Sequence, residues 1–158
     1  MPDLTTDRLL LHALTVEEAD ELHAGRPLEA WTYGPGYPLP DTRDGVSFLV
    51  RHRVEDFGFY LVVRRDEELV IGEIGFTGPP RAGTVGIGYA IVPSARRQGY
   101  ATEAIRVVTA WALAQPGVSE VSAQTLRDNE ASVRALLRAG FTEAEPSETV
   151  RRFSLRAG

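Results

Sequence analysis

Apolar and polar positions alternate along this chain with two periods. A period of two marks strands and a period near 3.6 marks helices. Residues 8–13, RLLLHA, form a short apolar strand candidate. Thr15 then reads as a helix N-cap, and Glu18, three residues on, completes a capping box. A helix over 15–24 follows, with Ala19 and Leu22 on its inner face. The pattern breaks over 25–40, where Pro27, Gly34, Pro35, Gly36, Pro38 and Pro40 interleave with Trp31, Tyr33 and Tyr37. This predicts an irregular aromatic loop that orders on binding. Asp41 or Thr42 caps a second helix, running to about Val54, with Val46, Leu49, Val50 and Arg53 along one side.

Three apolar strands come next, at 59–65, 69–76 and 84–92, joined by turns at 66–68 and 78–83. Connections this short force antiparallel pairing, because a parallel crossover needs a dozen or more residues. Residues 101–114 repeat Ile105, Val108, Ala112 and Leu113 at helical spacing. That helix supplies a crossover, so the strand at 118–126 lies parallel to 84–92. A helix over 129–139 is closed by Gly140 at its C′ position. Residues 141–143 and 150–155 are the last strand candidates. With no linker, repeat or low-complexity tract, residues 1–158 read as a single domain. Its class is α+β: an antiparallel meander that runs into a β–α–β unit.

Composition removes whole classes of chemistry. There is no cysteine, so disulfides, thiolate catalysis and cysteine-based zinc sites are out. All seventeen basic residues are arginine. Without lysine there is no Walker A loop and no Schiff base to pyridoxal phosphate. His12, His23 and His52 are scattered and make no metal triad, so no metal is expected. A net charge of −5 argues against nucleic acid as partner. No run of about 18 apolar residues is present, and no basic segment leads into an apolar one at the N-terminus. A cytoplasmic protein with no membrane partner is the expectation, with homodimerisation left open.

The richest stretch is Thr84 to Glu103, TVGIGYAIVPSARRQGYATE. It joins a strand to a helix through a basic turn, the arrangement in which free N–H groups at a helix start bind phosphate. A dinucleotide loop needs three spaced glycines, but Gly86 and Gly88 lie inside the strand and no third follows at the right spacing. There they fit either a bulge with close approach of a ligand or small residues beneath a packed helix. What remains is Arg96-Arg97-Gln98-Gly99-Tyr100-Ala101, read either as a phosphate turn or as an ordinary turn with a solvated arginine pair. Glu73, in IGEIGF, is a lone carboxylate in an apolar run. It is either an outward, solvated strand residue or a buried base with a raised pKa.

The stretch IGYAIVPSARRQGYATEA resembles the acetyl-coenzyme A signature of the GNAT N-acetyltransferase superfamily, Arg/Gln-x-x-Gly-x-Gly/Ala, matched by Arg96, Gly99 and Ala101. More narrowly, the chain is similar to the ribosomal-protein-alanine N-acetyltransferase (RimJ/RimL-like) branch. Thr6-Asp7-Arg8-Leu9 matches its opening motif, and Asn129-Glu-Ala-Ser132 with Gly140-Phe141 matches its later one. The resemblance implies a mostly antiparallel sheet flanked by about four helices. In that fold the parallel strands, here 84–92 and 118–126, start side by side and splay.

It also implies direct acetyl transfer from acetyl-coenzyme A, the cosubstrate, to a primary amine, a protein N-terminus or a small amine. Ile91 and Val92 would bond the pantetheine. Backbone N–H groups of Arg97, Gln98, Gly99, Tyr100 and Ala101 would hold the pyrophosphate, with charge from Arg96 and Arg97. N–H groups near Ala90 and Ile91 would receive the oxyanion. Glu73 is the base candidate, and Ser132 takes the acid position that a tyrosine fills in many members. Asn129 shares its helix face, as a cap or a ligand group. Trp31, Tyr33 and Tyr37 are candidates for the acceptor pocket. Alternatives are a non-catalytic acyl-coenzyme A binding module on the same fold and, from another class, a nucleotide or phosphosugar binder using the basic turn alone.

Overall fold

The computed structural model describes residues 1–145 and 147–158. Its elements follow the apolar pattern closely. They are β1 (Leu4–Thr5), β2 (Leu9–Ala13), α1 (Val16–His23), β3 (Thr32–Tyr33), α2 (Thr42–His52), β4 (Phe59–Arg64), β5 (Leu69–Phe76), β6 (Thr84–Ile91), α3 (Tyr100–Leu113), β7 (Glu120–Leu126), α4 (Glu130–Arg138), β8 (Thr142–Glu143) and β9 (Val150–Arg156). The strands form one mixed, mostly antiparallel sheet in the order β1-β2-β4-β5-β6-β7-β9-β8, with β3 beside β5. The meander β4–β5–β6 is antiparallel, and the α3 crossover lays β7 parallel to β6.

Local chemistry accounts for the ends. Thr15 caps α1 with the full capping box to Glu18. Pro93 cannot continue the ladder of β6, and Pro93–Ala95 turns as one 3₁₀ turn toward α3. Helix α2 stops at His52, short of Val54, because Arg53 adopts a left-handed conformation with φ 58°. Arg53 therefore leaves the helix face and pairs with Asp20 of α1 at 2.7 Å. The loop over 25–40 is not free: Thr32–Tyr33 pairs with Leu69–Val70 of β5, and the Gly34 N–H donates to the Val70 carbonyl at 2.8 Å.

Strands β4 and β5 are buried on both faces, which is why FYLVVR and LVIGEIGF are almost continuously apolar. Opposed strand residues share a face. Glu73 opposes Ala90, and its carboxylate meets Thr42 of α2; Tyr89, the next residue, points to the other face and meets Ser132 of α4. Helices α1 and α2 thus cover one face, α3 and α4 the other. Ile74, Ile105, Leu136 and Phe153 are among the fully buried side chains.

The pairing of β6 with β7 runs from Thr84–Glu120 to Ile87–Ala123 and stops. Strand β6 continues to Ile91, and β7 continues to Leu126 on its other neighbour, β9. The sheet therefore splits beyond Ile87. The register shift in the meander falls between Val62 and Val63 of β4, where Ile71 of β5 is the extra residue, and not at the glycines of β6.

Candidate active site

The split decides which backbone groups of β6 are free. The Val92 N–H donates to the Ile71 carbonyl at 2.8 Å, and the Thr77 N–H to the Gly86 carbonyl at 2.9 Å. Antiparallel bonding alternates, so Gly86, Gly88, Ala90 and Val92 turn their N–H and C=O groups toward β5. The odd residues turn theirs toward β7. Past Ile87 that side has no partner strand, so the backbone groups of Tyr89 and the N–H of Ile91 face the gap. Of the expected gap-lining residues, Ile91 stands there, whereas Val92 and Ala90 have their backbone groups turned to β5. The Val92 carbonyl is also taken, by the Ala95 N–H at 3.0 Å.

The turn at the end of the gap carries unspent donors. Arg97 has φ 64° and Gly99 φ 82°, both left-handed, with Gln98 between them. Successive N–H groups in such a turn point into one concavity and attract anions. Helix α3 has Gly99 at its N-cap with no side-chain cap, and its first bond runs from the Glu103 N–H to the Gly99 carbonyl at 3.1 Å. Among the described residues, the N–H groups of Arg97, Gln98, Gly99, Tyr100, Ala101 and Thr102 have no protein acceptor. The side chain of Arg96 folds back, its Nε donating to the Ile91 carbonyl at 2.9 Å. Arg96 thus ties the turn to the end of β6, while Arg97 remains exposed.

The opening motif has a task that spacing did not reveal. The Thr6 hydroxyl donates to Glu103 in the first turn of α3. The Arg8 backbone N–H and Nε donate to the same carboxylate at 3.1 and 2.8 Å. An Arg8 Nη donates to the Gln98 carbonyl at 2.8 Å, and its guanidinium lies 4.3 Å from the Tyr100 ring centre. The hairpin β1–β2 thereby clamps the turn. Burial pushes the Glu103 carboxyl up, but the bonds from Thr6 and Arg8 outweigh it and hold the pKa below the usual value. Beside the clamp runs a groove of about 550 Å³ lined by Arg8, Gly99, Glu103, Arg106 and Arg138 among others.

Glu73 is 5% exposed, which rejects the outward, solvated reading. Thr42, at the start of α2, accepts from the Leu39 N–H at 2.9 Å and donates to the Glu73 carboxylate. Asp41, the alternative cap, makes no side-chain cap bond. Burial, opposed in part by the Thr42 hydrogen bond, raises the Glu73 pKa to about 7. Tyr37 is buried beside this pair, and its hydroxyl has no hydrogen-bond partner among the described residues. Burial first, then the Glu73 charge, pushes the phenol pKa up. Gly88 shares this face, and a side chain there would meet open space, so the cleft above it is accessible. Gly86 is small for another reason: a Cβ would press on Thr77 Oγ1.

Ser132 and Asn129 sit at the start of α4. Asn129 Oδ1 accepts from the Ser132 N–H at 3.2 Å, so Asn129 is a cap. Ser132 Oγ lies 2.5 Å from the Tyr89 hydroxyl. Tyr89 was missed from sequence because a tyrosine was sought on the helix and not on the strand facing it. Of the aromatic loop, Tyr33 packs edge-on against Tyr37 at 5.1 Å, and its hydroxyl accepts from the Leu28 N–H at 3.0 Å. Trp31 stacks on His12 at 4.7 Å, two strands away from Glu73. Among the described residues no cluster of three or more His, Cys, Asp or Glu could hold a metal ion, and no helix is long and apolar enough to cross a membrane.

Backbone donors are free at the turn end of the sheet split, and a buried carboxylate lies on the neighbouring strand, one rung from the free edge of β6. Known proteins resemble this chain. The model of the acetyltransferase (GNAT) domain family matches residues 8–142. Two Bacillus subtilis proteins, both named as uncharacterized N-acetyltransferases, are similar along most of their length. YoaA is 32% identical over 146 residues, covering 89% of this chain and 82% of its own. YjdG is 36% identical over 149 residues, covering 87% and 88%. Among solved structures, RimL, a ribosomal alpha-N-protein acetyltransferase in complex with coenzyme A, superposes with a TM-score of 0.73 at 17% identity, covering 98% of both chains. At that identity the likeness is one of fold.

Proposed function

Because the chain belongs to the GNAT acetyltransferase family and is an N-acetyltransferase, we propose that it transfers acetyl directly from acetyl-coenzyme A to a primary amine, with Glu73 as base. The observation that carries this reading is the sheet split. It joins the uncapped turn at Arg97–Thr102 to a β6 edge whose Tyr89 and Ile91 backbone groups are free, one rung from a buried carboxylate.

In this reading the pyrophosphate occupies the N–H concavity of Arg97, Gln98, Gly99, Tyr100 and Ala101, an anion site at a helix start. Thr102 adds a donor, and Arg97 adds charge. Arg106 and Arg138, along the adjoining groove, suit the phosphorylated ribose at the far end of coenzyme A. The pantetheine lies along the free edge of β6 as an added strand, bonded by Tyr89 and Ile91. The amine enters from the α2 face, over Gly88. It must be neutral to attack, and Glu73, with a pKa of about 7, accepts its proton, directly or through water. The Tyr89 N–H at the gap receives the oxyanion, leaving the Tyr89 carbonyl and the Ile91 N–H to the pantetheine. Tyr37 is packed beside Glu73 as a wall of this pocket, and Tyr33 holds the Tyr37 ring.

The test is thiol release from acetyl-coenzyme A with a panel of amines: short peptides with free N-terminal alanine or serine, a polyamine, an amino sugar and free amino acids. At least one amine is expected to release coenzyme A in stoichiometry with its own acetylation. Stoichiometric binding of acetyl-coenzyme A with no release to any amine would leave a binding module in place of an enzyme.

A further inference from the structure

The resemblance puts Ser132 in the acid position, and the transfer reading leaves its close polar partner, Tyr89, without a task. The Tyr89 side chain stands on the α3/α4 face of β6, two residues past the last rung paired with β7. It reaches the first turn of α4, where its oxygen lies 2.5 Å from Ser132 Oγ and 3.3 Å from the Ser132 carbonyl. The pair therefore bridges the free edge of β6 and the helix facing it. The Ser132 N–H is already committed to Asn129. The phenol has a single proton to give. Donated to Ser132 Oγ at the shorter distance, it leaves the serine O–H free to turn into the gap.

Chemistry separates the two members. An aliphatic hydroxyl is a far weaker acid than a thiol of pKa near ~8.5, whereas a phenol lies closer to it, even with burial pushing the Tyr89 phenol up against the lowering bond from Ser132. We propose that Tyr89 supplies, through Ser132, the proton taken up by the departing coenzyme A thiolate, an inference that rests on the transfer reading above. The amine nitrogen forms the C–N bond and the carbonyl electrons move to oxygen. The intermediate collapses, the C–S bond breaks, and its electron pair stays on sulfur. Sulfur takes the Ser132 hydroxyl proton as Ser132 takes that of Tyr89, and the phenolate regains a proton from solvent. The amine proton leaves toward Glu73. Glu73 opposes Ala90, so the two proton transfers run on opposite faces of the sheet at adjacent residues of β6.

The experiment needs no knowledge of the amine. With coenzyme A bound as free thiol, its reaction with an aromatic disulfide across pH reads the bound thiol's pKa. Donors aimed at sulfur stabilise the thiolate, so the wild-type complex is expected to titrate about one unit lower than Tyr89→Phe, roughly tenfold more thiolate at a given pH below it. Ser132→Ala is expected to give the same shift, and the double variant no further one. Both variants keep the packing volume, and coenzyme A affinity by calorimetry is expected to change less than about threefold. With a productive amine, Tyr89→Phe lowers kcat about a hundredfold at unchanged KM for acetyl-coenzyme A. A bound thiol that titrates alike in wild type and both variants would remove the relay while leaving the transfer reading standing. Loss of affinity without a pKa shift would make the pair structural. Failure of the wild type to bind coenzyme A would overturn the donor site, and the relay with it.

Discussion

At the scale of single residues, Glu73 carries both the chemistry and a cost. Its pKa lies above the unfolded value of 4.5, at about 7. The folded state therefore binds the proton more tightly, and this group's contribution to stability falls as pH rises from the unfolded to the folded value. Full ionisation at pH 8 costs on the order of 3 kcal/mol relative to the unfolded chain. Glu73→Gln should therefore raise the melting temperature at pH 8, with the gain shrinking toward pH 5, while cutting kcat/KM about a hundredfold. Equal melting curves at both pH values would show that the carboxylate is not held ionised in a buried setting. In the wild type, kcat/KM should fall as pH drops through about 7. Thr42→Val removes the hydrogen bond that favours the carboxylate, so the same limb should move to higher pH in a rate profile. An unmoved limb would detach Thr42 from the titrating group. The sequence showed Glu73 as an anomaly but left its direction open, because strand alternation names two faces and does not say which helix covers each.

At the scale of elements, the turn before α3 holds two left-handed residues, Arg97 and Gly99. Gly99 sits at φ 82°, where a β-branched residue is strained by roughly 1–3 kcal/mol. A Cβ there would also approach an Arg8 Nη at 3.3 Å. Gly99→Val should weaken coenzyme A binding more than tenfold by calorimetry, and unchanged affinity would take the pyrophosphate away from this turn. Glu103→Ala breaks the clamp from Thr6 and Arg8. It is expected to lower stability by about 1.5–3 kcal/mol, as for hydrogen bonds to a charged group, and to weaken coenzyme A binding because Arg8 then loses its hold on Gln98. A denaturant titration reads the first effect and calorimetry the second. The turn itself was legible from Arg96, Gly99 and Ala101, since the glycine and the basic pair lie together in sequence. The clamp was not, because Thr6 and Arg8 lie 97 and 95 residues from Glu103.

At the scale of the whole molecule, the fold followed from connection lengths. Turns of a few residues made β4–β5–β6 antiparallel, and α3 made β7 parallel to β6. The split of the sheet did not follow. Where β6 leaves β7 depends on β7 finding β9 on its far side, a pairing invisible to local pattern. That same register turns Ile91 into the gap and Val92 away from it, so one of two adjacent residues was misplaced by reading the strand without its neighbours. Strand β3, two residues pinned by β5, was lost among prolines and glycines for the same reason.

Donor and acceptor are expected to meet across β6, with the acetyl carrier on the gap edge and the Glu73 carboxylate on the α2 face. The most direct measurement is the pH dependence of amine-dependent coenzyme A release, compared between wild type and Glu73→Gln. The expected result is a wild-type limb near pH 7 with the rate falling on the acid side, and in Glu73→Gln a low rate without that limb. A Glu73→Gln enzyme that releases coenzyme A at the wild-type rate at every pH would contradict it.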